Sequence, residues 1–191
     1  MATAAEHIYT PEEYLALERG ADHRSEYIHG RIYAMAGASR RHNLIVLSLG
    51  SEIRAALRGR PCEVYANDMR VKVVATDFYT YPDVVAVCGT PEVEDRHGDT
   101  LLNPSLIIEV LSDSTERYDR GETFAHYRRL ESLREYVLVS QDEVRVQRYV
   151  RDGERWVFSE IDDLGRVLPL ESIDCTIPLR EVYAGVEPDA A

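Results

Sequence analysis

Apolar runs separated by turn residues divide this chain into an alternating series of helices and strands. A capping box at Thr10 and Glu13 predicts the start of a short helix, because each side chain can satisfy a free backbone N–H of the first turn. Gly30 lies between two short β-prone runs and predicts a hairpin. The longest helical pattern begins at a Ser39 cap and stops at Gly59.

Within this long helix, His42 shares its helical spacing with the apolar residues Ile45, Leu49 and Ile53. The pattern therefore places His42 on the inward stripe of the helix. Two interpretations stay open at this point: a histidine that serves the core or the helix cap, and a histidine that serves a functional site.

Further strands follow the long helix and are separated by one more helix. The predicted strand sequences are CEVYA, DMRVKVV, YPDVVAVC, SLIIEVL, EYVLVS, EVRVQRYV and RWVFSEI, and the predicted helix is STERYDRGETFAHYRRL. The order favours an α+β fold with a central mixed β-sheet flanked by helices. We expect one domain over residues 1–191, with a core at about 9–186.

Two carboxylates interrupt apolar strands. Asp83 opens the run YPDVVAVC, and Glu109 is the only charged residue in SLIIEVL. Unpaired buried carboxylates are costly, so these two need basic partners, backbone donors or a metal ion. If their strands are neighbours, Asp83 and Glu109 could bind Mg²⁺ or Mn²⁺ together, and Glu26 on the hairpin could add a third oxygen. The alternative is that Asp83 caps a turn and Glu109 meets an arginine.

Composition narrows the functional classes. No apolar run is long enough for a membrane span and the first residues do not resemble a signal peptide, so we expect a cytoplasmic protein. Three widely spaced cysteines suggest neither a disulfide framework nor a zinc site. A net charge of −12 opposes nucleic-acid binding, although arginines cluster around both longer helices. Among 22 basic residues the only lysine is Lys72.

Longer stretches of the sequence resemble one protein family. FYTYPDVVAVCG, the segment from DTLLNPSLIIEVLSDST to REYVLVSQD, and CTIPLREVYAGV are similar to the Uma-two family of restriction endonucleases, a branch of the PD-(D/E)xK nuclease superfamily. The similarity runs from about Tyr9 to Val186. The resemblance implies a restriction-endonuclease-like fold, a divalent metal ion (Mg²⁺ or Mn²⁺) and hydrolysis of DNA, and it leaves a homodimer open.

The resemblance also assigns roles to residues. Asp83 and Glu109 match the family's metal-binding acids, and Val110 could add its main-chain carbonyl. Glu26 matches an early acid, and His42 matches the histidine of the long helix. The family's lysine is missing, because DRGETFAHYRR has Thr123 where a lysine is expected.

Lys72 is the one residue that could replace the missing lysine. A hairpin centred between Asp77 and Phe78 would pair Lys72 with Asp83 and hold their Cβ atoms about 5 Å apart. We therefore predict a metal-dependent endonuclease with Asp83 and Glu109 as metal ligands and Glu26, His42 and Lys72 as further site residues. The alternative is a nuclease fold that binds DNA or a protein without cutting.

Overall fold

A computed structural model describes residues 7–112 and 116–186 of the chain. A π-helical turn at Asp119–Thr123 joins the third helix directly to the fourth. The helices are α1 (Pro11–Glu18), α2 (Arg40–Ala56), α3 (Glu116–Tyr118), α4 (Phe124–Tyr127) and α5 (Leu179–Val182). The predicted start of the third helix, Ser114, lies outside the described residues.

The strands form three sheets. In chain order they are β1 (Ser25–Ile28), β2 (Arg31–Ala34), β3 (Cys62–Ala66), β4 (Arg70–Val73), β5 (Phe78–Thr80), β6 (Val84–Cys88), β7 (Thr100–Leu101), β8 (Leu106–Leu111), β9 (Glu135–Ser140), β10 (Val146–Asp152), β11 (Arg155–Ile161), β12 (Val167–Leu170) and β13 (Cys175–Pro178). The large sheet has the order β11-β10-β9-β8-β6-β3, the second has the order β2-β1-β5-β4-β7, and β12 pairs with β13.

The large sheet is mixed, as the sequence predicted. Strands β8 and β9 are parallel and the other neighbours in this sheet are antiparallel. The parallel pair requires a crossover, and the α3–α4 segment lies within that connection. The predicted α+β architecture of a central mixed sheet with flanking helices is confirmed.

Both predicted helix starts are confirmed. Thr10 and Glu13 form the reciprocal capping box of α1. Ser39 caps α2 by accepting the backbone N–H of His42 at 3.0 Å. Each cap satisfies a backbone donor that has no partner inside its helix, and the Ser39 cap fixes the first turn of α2 beside the large sheet.

The large sheet buries apolar side chains on both faces. Ile108 and Val110 of β8 pack on the side of α2, whereas Ile107 and Leu111 pack on the other side, against an aromatic group around Tyr136. This alternation follows from the two-residue period of a strand. It also places Glu109 on the aromatic side of the sheet, in a layer that is otherwise apolar.

The predicted register of the hairpin before Asp83 is wrong. Lys72 lies opposite Tyr79, so the loop spans residues 74–77 and Lys72 does not pair with Asp83. A short 3₁₀ turn at Val74–Thr76 and a left-handed Asp77 form this loop. After β5 the chain passes from the second sheet into the large sheet, so the hairpin does not extend to Asp83.

The expectation that the cysteines form no disulfide is also wrong. Cys62 and Cys88 lie opposite each other on β3 and β6 and form a disulfide, whereas Cys175 is free. The spacing along the chain gave no signal for this bond, because antiparallel pairing brings the two residues together. In the part of the chain that the structure describes, no helix is long and apolar enough to cross a membrane.

A buried ion pair connects the large sheet to the chain between β12 and β13. Arg148 donates from Nε and Nη2 to Oε1 of Glu135, at 3.0 and 2.7 Å. The other oxygen of Glu135 accepts the N–H and the hydroxyl of Ser172, at 3.1 and 2.9 Å. Glu135 is completely buried, so its charge depends on these donors.

Arg148→Met should therefore lower the free energy of unfolding by about 3–5 kcal/mol, because it leaves a buried carboxylate without its cation. The matched control is Arg155→Met, which removes an exposed arginine from an ion pair with Asp152 and should cost less than about 1 kcal/mol. Urea denaturation measures both values. Similar losses in the two variants would show that the buried pair has no special role.

Candidate active site

Asp83 and Glu109 meet at one end of the β6–β8 pair. The antiparallel register sets Val84 opposite Ile108, so Asp83, one residue earlier, lies beside Glu109. The backbone N–H of Asp83 donates to Oε2 of Glu109 at 3.1 Å. The two acids that the sequence predicted to converge are therefore adjacent.

The Asp83 carboxylate is held from two directions. Its Oδ2 accepts the backbone N–H of Val110 at 2.7 Å and lies 3.0 Å from Nε2 of His42. His42 reaches this point because Ser39 begins α2 one turn before it. The other ring nitrogen of His42, Nδ1, is buried and has no hydrogen-bond partner among the described residues. The contact with Asp83 brings His42 into the site.

Glu109 is buried in a negative environment. The Tyr127 hydroxyl donates to its Oε1 at 2.8 Å. No basic side chain of the described residues forms an ion pair with Glu109. Burial, followed by the charges of Asp83 and Asp119, raises the pKa of Glu109 well above its ordinary range. Without a cation, the site therefore favours a protonated Glu109.

The segment from α3 to α4 forms a third side of the site. From the sequence, Thr123 of this segment was named, whereas Asp119 and Tyr127 were missed as site residues. Asp119, Thr123 and Tyr127 follow each other at four-residue spacing, and all three are buried. The Tyr136 hydroxyl donates to the backbone carbonyl of Asp119 at 3.1 Å and fixes the π-helical turn. No sequence signal pointed to Asp119, because an acid in a polar helical stretch is typical of a solvated helix face.

Glu26 is joined to the same segment. Its carboxylate accepts hydrogen bonds from the hydroxyls of Thr80 at 2.5 Å and Tyr118 at 3.3 Å, and Tyr118 directly precedes Asp119. Burial raises the pKa of Glu26, although these two hydroxyls oppose the shift. Glu26 therefore borders the site through Tyr118, but none of the hydrogen bonds and ion pairs among the described residues joins it to Asp83 or Glu109, and its role stays a prediction.

Lys72 is engaged elsewhere. Its ammonium lies 2.5 Å from Oε1 of Glu94 and 4.8 Å from the centre of the Tyr79 ring. The Tyr79 hydroxyl donates to the same Glu94 oxygen at 2.7 Å. The Lys72 ammonium is therefore paired with Glu94 and not with Asp83.

Comparison with known proteins shows the family of this chain. A model of the Uma2 family, described as "Putative restriction endonuclease", matches residues 11–180. The chain belongs to the Uma2 family. The resemblance stated from the sequence is thereby confirmed.

Two uncharacterized Synechocystis proteins, sll1609 and slr1290, are similar to this Uma2 chain. Each is 36% identical to it, over 162 and 180 residues, and the matches cover 84% and 93% of this chain and 92% of each relative. A crystal structure from Anabaena variabilis, titled as "a putative nuclease belonging to DUF820", shares the fold. Its TM-score is 0.75 at 20% identity, and the match covers 92% of this chain and 98% of that chain.

Restriction-endonuclease-like families use divalent metal ions, which are held by carboxylate and other oxygen ligands. Within residues 7–112 and 116–186, no group of three or more His, Cys, Asp and Glu side chains is arranged to hold a metal ion. Mg²⁺, however, is commonly held by one or two carboxylates, with water and substrate phosphate as its other ligands. Asp83 and Glu109 supply two such oxygens in a site without a paired cation. This donor set fits a Mg²⁺-type ion.

The raised pKa of Glu109 leads to a test of metal-free protein. An acid whose pKa is higher in the folded state stabilises the fold at low pH, and this contribution is lost as the pH rises above the ordinary value of 4.5 towards the folded value. Glu109→Gln carries no charge, and its amide can donate to the Tyr127 hydroxyl. In EDTA, this variant should therefore be more stable than the wild type at about pH 8, and the difference should shrink at about pH 5.

Urea denaturation at the two pH values measures this difference. Glu154→Gln, at an exposed glutamate between β10 and β11, is the control and should not show it. A Glu109→Gln protein that is less stable than the wild type at the higher pH would contradict the proposed environment of Glu109.

Proposed function

We propose that this Uma2 protein is a metal-dependent endonuclease that hydrolyses DNA phosphodiester bonds. The observation that carries the proposal is the pairing of Asp83 with Glu109 at the end of β6 and β8, where Glu109 is buried without a basic partner. A site of this kind is costly for the fold on its own, and a divalent cation would offset the repulsion between its acids. Family membership and the shared fold support the same function.

Each residue of the site has a distinct role in this proposal. Asp83 and Glu109 hold a Mg²⁺ or Mn²⁺ ion, with the Val110 carbonyl as a further ligand. When bound, such an ion lowers the pKa of a water molecule and offsets negative charge on the phosphate. His42 orients Asp83 through their 3.0 Å contact, and Tyr127 orients Glu109 through its hydrogen bond.

Glu26 and Asp119 are the other two carboxylates of the proposed site. Glu26 can accept a proton from the attacking water, because burial raises its pKa towards the range in which a general base is effective. Asp119 adds negative charge that strengthens the attraction of the site for a cation. Lys72 has no role in the proposal, since Glu94 holds its ammonium.

Thr123 favours a second candidate function, a nuclease fold that binds DNA without cutting it efficiently. Family resemblance places a lysine at this position, whose ammonium would offset charge on the phosphate. Thr123 is 2% exposed, and its hydroxyl, close to that of Tyr118, has no hydrogen-bond partner of acceptable geometry in the described part of the chain. A threonine can hold water there but cannot supply the charge.

Plasmid cleavage in Mg²⁺ or Mn²⁺ separates the two candidates. We expect slow cleavage by the wild type and none by Glu109→Gln, which also excludes a contaminating nuclease. Thr123→Lys should raise the rate by roughly 10²–10⁴-fold, the effect typical of one positioned acid–base group. The control is Thr90→Lys, the same substitution in an exposed loop, which should leave the rate unchanged.

Cleavage that survives Glu109→Gln would refute the proposed site. If neither the wild type nor a folded Thr123→Lys protein cuts DNA, the binding module becomes the better description. Circular dichroism establishes that each variant is folded.

A further inference from the structure

The acidic residues of this chain are unevenly distributed. The whole protein has 34 Asp and Glu residues and a net charge of −12, yet residues 27–51 contain none. This is the longest stretch of the sequence without an acid, and it includes Arg31, Arg40 and Arg41. Because charges are screened beyond about 10 Å at ordinary ionic strength, a local surface of this kind can attract an anion although the protein as a whole is negative.

Two parts of the acid-free stretch lie beside acids of the candidate active site. In the first part, Tyr33 on β2 lies directly opposite Glu26 on β1, and opposite residues of an antiparallel pair share a face. In the second part, the first turn of α2 carries Arg40, Arg41 and His42, and His42 contacts Asp83. The segment between these points therefore borders the acids on one side of the site.

Most of this bordering surface is exposed. Strand β2 is the edge of the second sheet, and residues 36–40 are all exposed. Tyr33, opposite the half-buried Glu26, has 46% of its surface exposed. Arg41 is partly engaged by Asp142 at 3.4 Å, whereas no ion pair within the described residues involves Arg40.

The first turn of α2 also lacks the charge that would stabilise the helix. Acidic side chains are favourable at a helix N-terminus, but this turn has no acid and carries two arginines. The arrangement costs helix stability and increases the attraction for a phosphate beside Asp83. Tyr33 supplies an exposed aromatic ring opposite Glu26, and Arg40 supplies an exposed guanidinium two residues before His42. This pair matches the chemistry of a nucleotide chain, which offers bases for stacking and phosphates for ion pairing.

We propose that β2 and the chain leading into α2 form the DNA-docking surface of this protein, with Tyr33 stacking on a base or sugar and Arg40 binding a backbone phosphate. This inference rests on the proposed nuclease function and names where its substrate binds. The surface lies between Glu26 and His42, so a DNA strand that follows it passes the Asp83–Glu109 pair.

The test is fluorescence anisotropy with a short fluorescein-labelled DNA duplex and the full-length protein in EDTA, where cleavage cannot interfere. Tyr33→Ala should weaken binding about 5-fold or more, as expected for the loss of one stacking contact. Arg40→Gln should weaken binding and lower the slope of log affinity against log salt by about 1 between about 50 and 200 mM salt. Its melting temperature should stay the same or rise, because the charge at the start of α2 is removed.

Two matched controls lie on β11, away from the site. Phe158→Ala removes an aromatic side chain that is 52% exposed, and Arg155→Gln removes an exposed arginine; both should bind DNA like the wild type. If Tyr33→Ala and Arg40→Gln bind as the controls do, the docking surface is refuted, while cleavage by the wild type would still support the nuclease. If the wild type neither binds nor cuts DNA, both proposals fail together.

Discussion

The antiparallel register between β6 and β8 is the constraint on which the rest of the site depends. It sets Asp83 beside Glu109, whose side chain lies on the apolar and aromatic face of the large sheet, while the carboxylate of Asp83 contacts His42 of α2. Hydrogen bonds from Val110 and Tyr127 hold the two carboxylates, but neither donor carries a positive charge. Two outcomes can relieve the repulsion: Glu109 takes up a proton, or the site takes up a cation.

The helical segment over this pair explains why the site is both closed and acidic. Asp119 lies in the π-helical turn of this segment, and its negative charge contributes to the raised pKa of Glu109. Tyr136 then fixes the turn by binding its backbone. The same segment carries the buried Thr123, which adds a hydroxyl and no positive charge to this side of the site.

Short sequence patterns predicted the structural features that depend only on neighbouring residues. The caps at Thr10 and Ser39 and the turn at Gly30 follow from short-range rules, and the structure contains them. The meeting of Asp83 and Glu109 was predicted only on the condition that their strands are neighbours, and the β6–β8 pairing supplies that condition. Features that depend on how distant segments meet were not predictable in this way. The disulfide between Cys62 and Cys88 depends on the β3–β6 register.

The two errors at the site have physical causes of the same kind. The hairpin that contains Lys72 was predicted to turn between Asp77 and Phe78. In the structure its loop is residues 74–77, a 3₁₀ turn followed by the left-handed Asp77, so the centre of the hairpin lies closer to the N-terminus. Asp119 was overlooked because an acid in a polar helical stretch is typical of a solvated face. Only the crossover between β8 and β9, with its π turn, brings that acid against the sheet.

The central claim is that Asp83 and Glu109 form a divalent-cation site. Calorimetric titration of the full-length protein with Mn²⁺ near neutral pH, in two buffers of different ionisation enthalpy, tests it most directly. The account predicts binding with release of protons, because the cation lowers the raised pKa of Glu109. Asp83→Asn should lose this binding, whereas Asp152→Asn, at an exposed aspartate, should keep it. Absence of Mn²⁺ binding by the wild type, or equal binding by Asp83→Asn, would contradict the account.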